Sequence, residues 1–168
     1  MGPWYSESTF LHGVTLRSSL SLTSVAMPWP PEYQRASIDF EKFMVAARDH
    51  AGLATTNMAW NMVVGVLHTF RRRLTPEQVF RFADQLPPAI RGLFIEGWRP
   101  GEAVAEVGTA SELLAEVRSV RRDHNFSTDN AIESVGVALA AVVPADAYAR
   151  ALEALPPKLR ALWSGLTR

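Results

Sequence analysis

The sequence predicts an all-α fold: an internally duplicated helical bundle in which two repeats of about four helices, residues 37–98 and 109–166, pack about a pseudo-two-fold axis. Three observations lead there. No stretch alternates polar and apolar residues at period two for long enough to compete as a strand, whereas apolar residues recur at helical spacing along the chain. Two stretches, Thr75 to Gln78 and Thr109 to Glu112, place a hydroxyl three residues before a Glu or Gln, as a capping box requires. The segment DQLPPAIRGLF, Asp84 to Phe94, returns as EALPPKLRALW, Glu153 to Trp163, at an offset of 69 residues (Leu86 to Leu155).

Each element follows from local chemistry. From Ser37, the residues Ile38, Phe40, Phe43, Met44 and Ala47 line one helical face, and Gly52 supplies a stop. Thr56 can cap a second helix whose stripe runs through Ala59, Met62, Val63, Val66, Leu67 and Phe70. Thr75-Pro76 opens a third with Pro at the first helical position, carrying Val79, Phe82, Ala83 and Leu86 inward. Pro87 ends it by disfavouring α conformation at Leu86, and Pro88 begins a fourth helix, which Gly97 is placed to close. The second repeat has the same plan: Thr109 caps a helix with Leu113, Leu114, Val117 and Val120, and Thr128 one with Ile132, Val135, Leu139 and Val142. After Pro144 come Leu152 and Leu155, then Leu159, Leu162 and Trp163. Arg48-Asp49-His50 matches Arg122-Asp123-His124 at an offset of 74, and Thr56 matches Thr128 at 72, so the register shifts only in loops.

Each repeat has roughly 65 to 70 residues, a size at which a lone core is marginal without staples. Cysteine is absent, so no disulfide supplies one. The halves are therefore expected to share one core in a single domain over residues 27–168. Residues 1–26 are rich in Ser and Thr without clear period and read as a disordered or non-native tail, with Met27 as a possible start.

Composition narrows the function classes. The 168 residues are 48% hydrophobic and 20% charged, and 17 basic residues balance 17 acidic ones. No global field gathers nucleic acid or an anionic membrane, and no apolar run approaches the roughly 20 residues that span a bilayer. The lack of cysteine excludes thiolate zinc sites and a Cys nucleophile and fits a reducing cytoplasm, the expected location.

PEYQRASIDFEKFM, followed by RRRLTPEQVFRFADQLPPAIRGLFIEGW, resembles the bacterial family catalogued as domain of unknown function 2267. The resemblance covers about Met27 to the C-terminus and is most specific from Arg73 through Trp98, where RL, QLP, LR and GW occur in order. It implies a small bacterial helical protein and brings no activity and no catalytic residues.

Candidate chemistry is sparse. Arg91 and Arg160 occupy equal positions in the two LPP segments, and Glu96 and Trp98 come after the first. A guanidinium, a carboxylate and an indole around one crevice suit a small anionic or planar ligand, so Arg91, Glu96, Trp98 and Arg160 are the candidate ligand-binding residues. The structural alternative has each Arg bonding carbonyls at its LPP turn, with the aromatics as core. Arg71-Arg72-Arg73 spreads over about 200° of a helix and sits where cations oppose the negative end of the macrodipole. Asp49, His50, Asp123 and His124 lack helical metal-ligand spacing, so no metal is expected. Ser111, Ser119, Ser127, Ser134 and Ser164 lie in no GxSxG elbow, His68 sits among apolar residues, and neither GxGxxG nor a P-loop occurs. The expectation is a non-catalytic interaction or small-ligand module without cofactor, monomeric or homodimeric, with a protein or small-molecule partner and no nucleic acid or membrane. The alternative is an enzyme acting on a small anionic substrate near Arg91, Glu96 and Trp98.

Overall fold

The computed structural model describes residues 29–164, and those residues form nine α-helices and one 3₁₀ turn with no strand among them. The expected tail, residues 1–26, and the last two positions of the second repeat lie outside the described residues. A four-residue helix α1, Pro31–Gln34, turns the Pro-rich entry and leads into α2, Ala36–His50. α2 ends in a Schellman closure: Leu53 N–H donates to the Arg48 carbonyl at 3.0 Å and Gly52 N–H to that of Asp49 at 3.1 Å. Gly52 takes φ +68° there, a left-handed conformation that favours glycine.

α3, Thr56–Arg71, is capped by Thr55, whose hydroxyl accepts from Met58 N–H, so the cap lies one residue before the Thr56 that the sequence suggests. α4, Pro76–Ala83, and α6, Ala110–Ser119, both start with complete capping boxes at the expected residues. α5, Pro88–Ile95, is succeeded by a type II turn in which Gly97 at φ +67° lets Trp98 N–H reach the Ile95 carbonyl. A single 3₁₀ turn, Arg122–His124, precedes α7, Ala131–Val142. Thr128 does not cap α7 with its side chain; its carbonyl accepts Ala131 N–H, and the helix begins three residues later. α8, Ala145–Ala154, and α9, Pro157–Trp163, complete the order. The two LPP turns have nearly the same backbone, with Pro87 at φ −53°, ψ 148° and Pro156 at φ −53°, ψ 146°.

The helices of the two halves interleave. The most extensive contact is α2 on α7, and the next is α3 on α6, while α4 packs on α8 and α3 on α7. Buried side chains from both halves form one cluster that includes Phe43, Met62, Phe70, Phe82, Leu86, Leu155, Leu159 and Trp163. Trp163 stacks on Phe70 with ring centroids 4.1 Å apart and donates its indole N–H to the Ile132 carbonyl at 2.8 Å. Full burial of a side chain of this kind is worth about 1.5–3 kcal/mol. α3 and α6 meet so closely at Gly65 that a Cβ there would lie 2.9 Å from the Val117 carbonyl oxygen.

Candidate functional site

The two LPP turns position Arg91 and Arg160. Arg91 Nε donates to the Ala83 carbonyl at 3.0 Å, and its Nη2 donates to those of Leu86 at 3.1 Å and Asp84 at 3.4 Å. Arg160 Nη2 donates to the carbonyls of Glu153 at 3.1 Å and Leu155 at 3.2 Å, the positions 69 residues beyond Asp84 and Leu86. Each guanidinium thus donates to carbonyls at the end of the preceding helix, where the prolines have no N–H to offer. That is work for the turn, and in Arg91 it uses Nε and Nη2 while Nη1 has no hydrogen bond among the described residues.

Arg91 also lines a crevice of about 480 Å³ where α1 and α2, the first LPP turn, and the α7–α8 corner meet. Its lining carries Arg35, Lys42 and Arg91 together with Glu32, Asp39 and Asp84, and Leu86, Val142 and Ala147 add apolar surface. Arg35 faces Asp39 at 3.9 Å, whereas Lys42 is exposed and makes no ion pair among the described residues. Glu96 and Trp98 do not line this crevice, and neither does Arg160. Glu96 is exposed beyond the end of α5, and Trp98 packs edge-on against Phe80 with centroids 5.6 Å apart. The four candidate residues are therefore divided among three places.

The remaining sequence candidates are absorbed by structure. Arg71 is buried and its Nη1 donates to the carbonyls of Phe94 at 2.6 Å and Glu96 at 2.7 Å, closing the end of α5. Arg72 and Arg73 both grip Glu116 of α6, with Arg73 Nη2 at 2.7 Å from Oε2. Burial alone would raise the Glu116 carboxyl, but the hydrogen bonds and charges of Arg73 and Arg72 hold it below the usual carboxylate range. The three arginines thus point to different partners, as their spread around the helix demands, with only Glu116 shared. His68 places Nε2 2.9 Å from the Leu93 carbonyl, and burial pushes its pKa down despite that bond.

The Asp-His pairs do not converge. Asp49 pairs with Arg48, and among the described residues no three His, Cys, Asp or Glu side chains come together in a metal-binding group. His50 Nδ1 lies 3.0 Å from Ser134 Oγ, and Glu133 Oε1 is 3.8 Å from Nε2. That order of groups suggests a nucleophile with its base, but Ser134 is fully buried and gives its one proton to the Asn130 carbonyl at 2.9 Å. The hydroxyl accordingly accepts from His50 Nδ1–H, and the contact is a clasp between α2 and α7. Two asparagines also hold distant carbonyls: Asn130 Nδ2 donates to that of His50, and Asn61 Nδ2 of α3 to that of His124, each at 2.9 Å. Sequence reasoning missed both asparagines, since nothing local marks a side chain whose partner is a distant carbonyl.

No helix among the described residues is long and apolar enough to cross a membrane. The model of the family described as uncharacterized conserved protein (DUF2267) matches residues 40–162, and the chain belongs to that family. A search of curated proteins finds no match.

Proposed function

We propose that this chain is a non-catalytic helical binding module whose two halves, residues 37–98 and 109–166, are matched repeats about a pseudo-two-fold axis, and that the crevice beside Arg91 takes a small anionic ligand. The interleaved contacts support the repeat: α2 on α7 and α3 on α6 exchange under such an axis, while α4 on α8 and α3 on α7 are each returned to themselves. The equal hydrogen bonds of Arg91 and Arg160 at the two LPP turns obey the same rule. On this reading residues 27–168 form one domain, because the first helix of each half packs most extensively on the second helix of the other.

The observation that carries the ligand reading is the crevice itself. Its volume lies in the range of small-molecule sites, and it opens where helices of both halves meet. Lys42 Nζ and Arg91 Nη1 supply donors with no hydrogen bond among the described residues, suited to a carboxylate or phosphate, and the apolar surface suits a short carbon skeleton. The carboxylates that are displaced, at Glu112, Glu116 and Asp146, are all displaced downward, toward staying ionised, which fits structural anchoring better than proton donation. A cysteine-free chain of this kind is expected in a reducing bacterial cytoplasm.

A thermal-shift screen of carboxylates, phosphates and nucleotides tests the reading, since a ligand bound only to the native state raises the melting midpoint. At least one anion should raise the midpoint of the wild-type chain and fail to do so in Lys42→Glu, whose own midpoint stays unchanged. A shift that survives Lys42→Glu, or no shift from any anion, contradicts it.

A further inference from the structure

The junction between α6 and α7 is built at a cost that the α2–α3 junction avoids. At the end of α2 the left-handed position is held by Gly52. At the end of α6 it is held by Arg121, at φ 46° and ψ 55°, the one non-glycine residue with positive φ among the described residues. A side chain with a Cβ is strained there, and the strain persists only because the surroundings impose it. Asn125 is what imposes it: its Nδ2 donates to the carbonyls of Val117 at 2.8 Å and Val120 at 2.7 Å, while its Oδ1 accepts Ser127 N–H at 2.9 Å.

That staple closes a loop with several exposed side chains. Arg121, Arg122 and His124 are exposed, and Phe126, two residues after His124, is 50% exposed. Arg118 is drawn away to the Ser127 carbonyl at 3.0 Å and to Asp129 at 2.6 Å. Arg121 and Arg122 have no carboxylate within ion-pair distance among the described residues. Arg121 and Arg122, with no ion pair among the described residues, and the half-exposed Phe126 lie on one loop, and together they offer a recognition surface.

We propose that the loop Val120–Ser127 docks an acidic segment of a partner protein, with carboxylates paired to Arg121 and Arg122 and an apolar side chain covering Phe126. Charge decides between this and a nucleic acid. Exposed Asp123 lies within the loop without an ion pair among the described residues, so a continuous phosphate backbone meets repulsion there, whereas separate carboxylates can pair with the two arginines and leave Asp123 clear.

The test is fluorescence anisotropy of the full chain with a labelled Glu-Glu-Leu-Leu-Glu-Glu peptide, its Ser-for-Leu and Lys-for-Glu counterparts, and labelled oligothymidylate. The acidic, leucine-containing peptide should bind saturably and more weakly as salt rises. Replacing its leucines or its glutamates should weaken binding at least about tenfold, as should Arg122→Glu or Phe126→Ser in the protein. Phe126→Ser should leave the melting midpoint in place, which separates lost contact from lost fold. Absence of saturable binding, binding that ignores both protein variants, or tighter binding of oligothymidylate overturns the proposal.

Discussion

Arg48-Asp49-His50 and Arg122-Asp123-His124 have the same three side chains and different backbones. The first triplet is the last turn of a 15-residue helix; the second is an isolated 3₁₀ turn after a 10-residue helix that stops at Ser119. The residues just beyond each triplet make the difference. Two positions after His50, Gly52 accepts a left-handed conformation without strain, so α2 runs to its end and closes behind it. After His124 there is no glycine, and Asn125 captures the carbonyls of Val117 and Val120, so the helix has already ended before its triplet begins. Helix length here is set by which group can satisfy the terminal carbonyls, not by the residues within the helix.

The difference extends to packing. α2 is held along α7 and also touches α3 and α5, whereas α6 rests mainly on α3. Two crevices of about 470 and 500 Å³ flank the start of α6, sharing Ala110 and Leu162, on the side where α9 lies. The short helix is retained by a close approach at Gly65 and by the grip of Arg72 and Arg73 on Glu116.

The largest effects should come from the element that the halves share equally. Leu86 and Leu155 are 3% and 1% exposed at matched turns, and Leu86→Ala and Leu155→Ala should each cost about 2–5 kcal/mol in denaturant unfolding. A severe loss at one leucine with a mild loss at the other would break the equivalence of the turns.

Next come the contacts peculiar to α6. Gly65→Ala drives a Cβ against the Val117 backbone and should cost about 1–3 kcal/mol. Glu116→Gln should cost a similar amount, about 1.5–3 kcal/mol, by removing the charge that both arginines bind. Because the folded Glu116 carboxyl titrates below its unfolded value, its contribution is complete above the unfolded pKa and is lost as pH falls through the folded one. Stability measured from neutral to acid pH should therefore fall less steeply below pH ~4.5 in Glu116→Gln than in the wild type. At the opposite extreme, burial pushes Tyr148 up to about 12, so stability should decline as pH rises above ~10, and Tyr148→Phe should flatten that decline.

The smallest effects sharpen the comparison most. A Cβ at Gly52 meets nothing within 4 Å, so Gly52→Ala carries only backbone strain and should cost about 1 kcal/mol. Arg121→Gly should do the reverse and stabilise by up to about 1 kcal/mol, because strain is relieved at a position whose side chain is exposed. Equal signs for the two substitutions would show that the junctions do not differ in the way described.

Much of this architecture was legible locally. Capping boxes at Thr75 and Thr109, the stops at Gly52 and Gly97, and the LPP turns are each written in a few adjacent residues and occur where they are read. The adjacent hydroxyls of Thr55 and Thr56 defeat a choice of cap by pattern, and Thr128 lies too far ahead of α7, which starts at Ala131 with Asn130 at its N-cap position. The candidate site was half legible. Arg91 was marked by the repeat and does line a crevice, but Glu96 and Trp98, near in sequence, face elsewhere across a type II turn. Lys42 and Asp39 come to the crevice from another helix, and no spacing rule connects them to Arg91.

The central claim is that each half needs the other, because the first helix of each lies on the second helix of its partner half. Expressing fragments 27–100 and 101–168 separately and together, and monitoring helicity through denaturant, tests it most directly. Each fragment alone should show low helicity and no cooperative transition, and the mixture should recover one cooperative transition with the helicity of the intact chain. A fragment that folds cooperatively as a monomer would contradict the account.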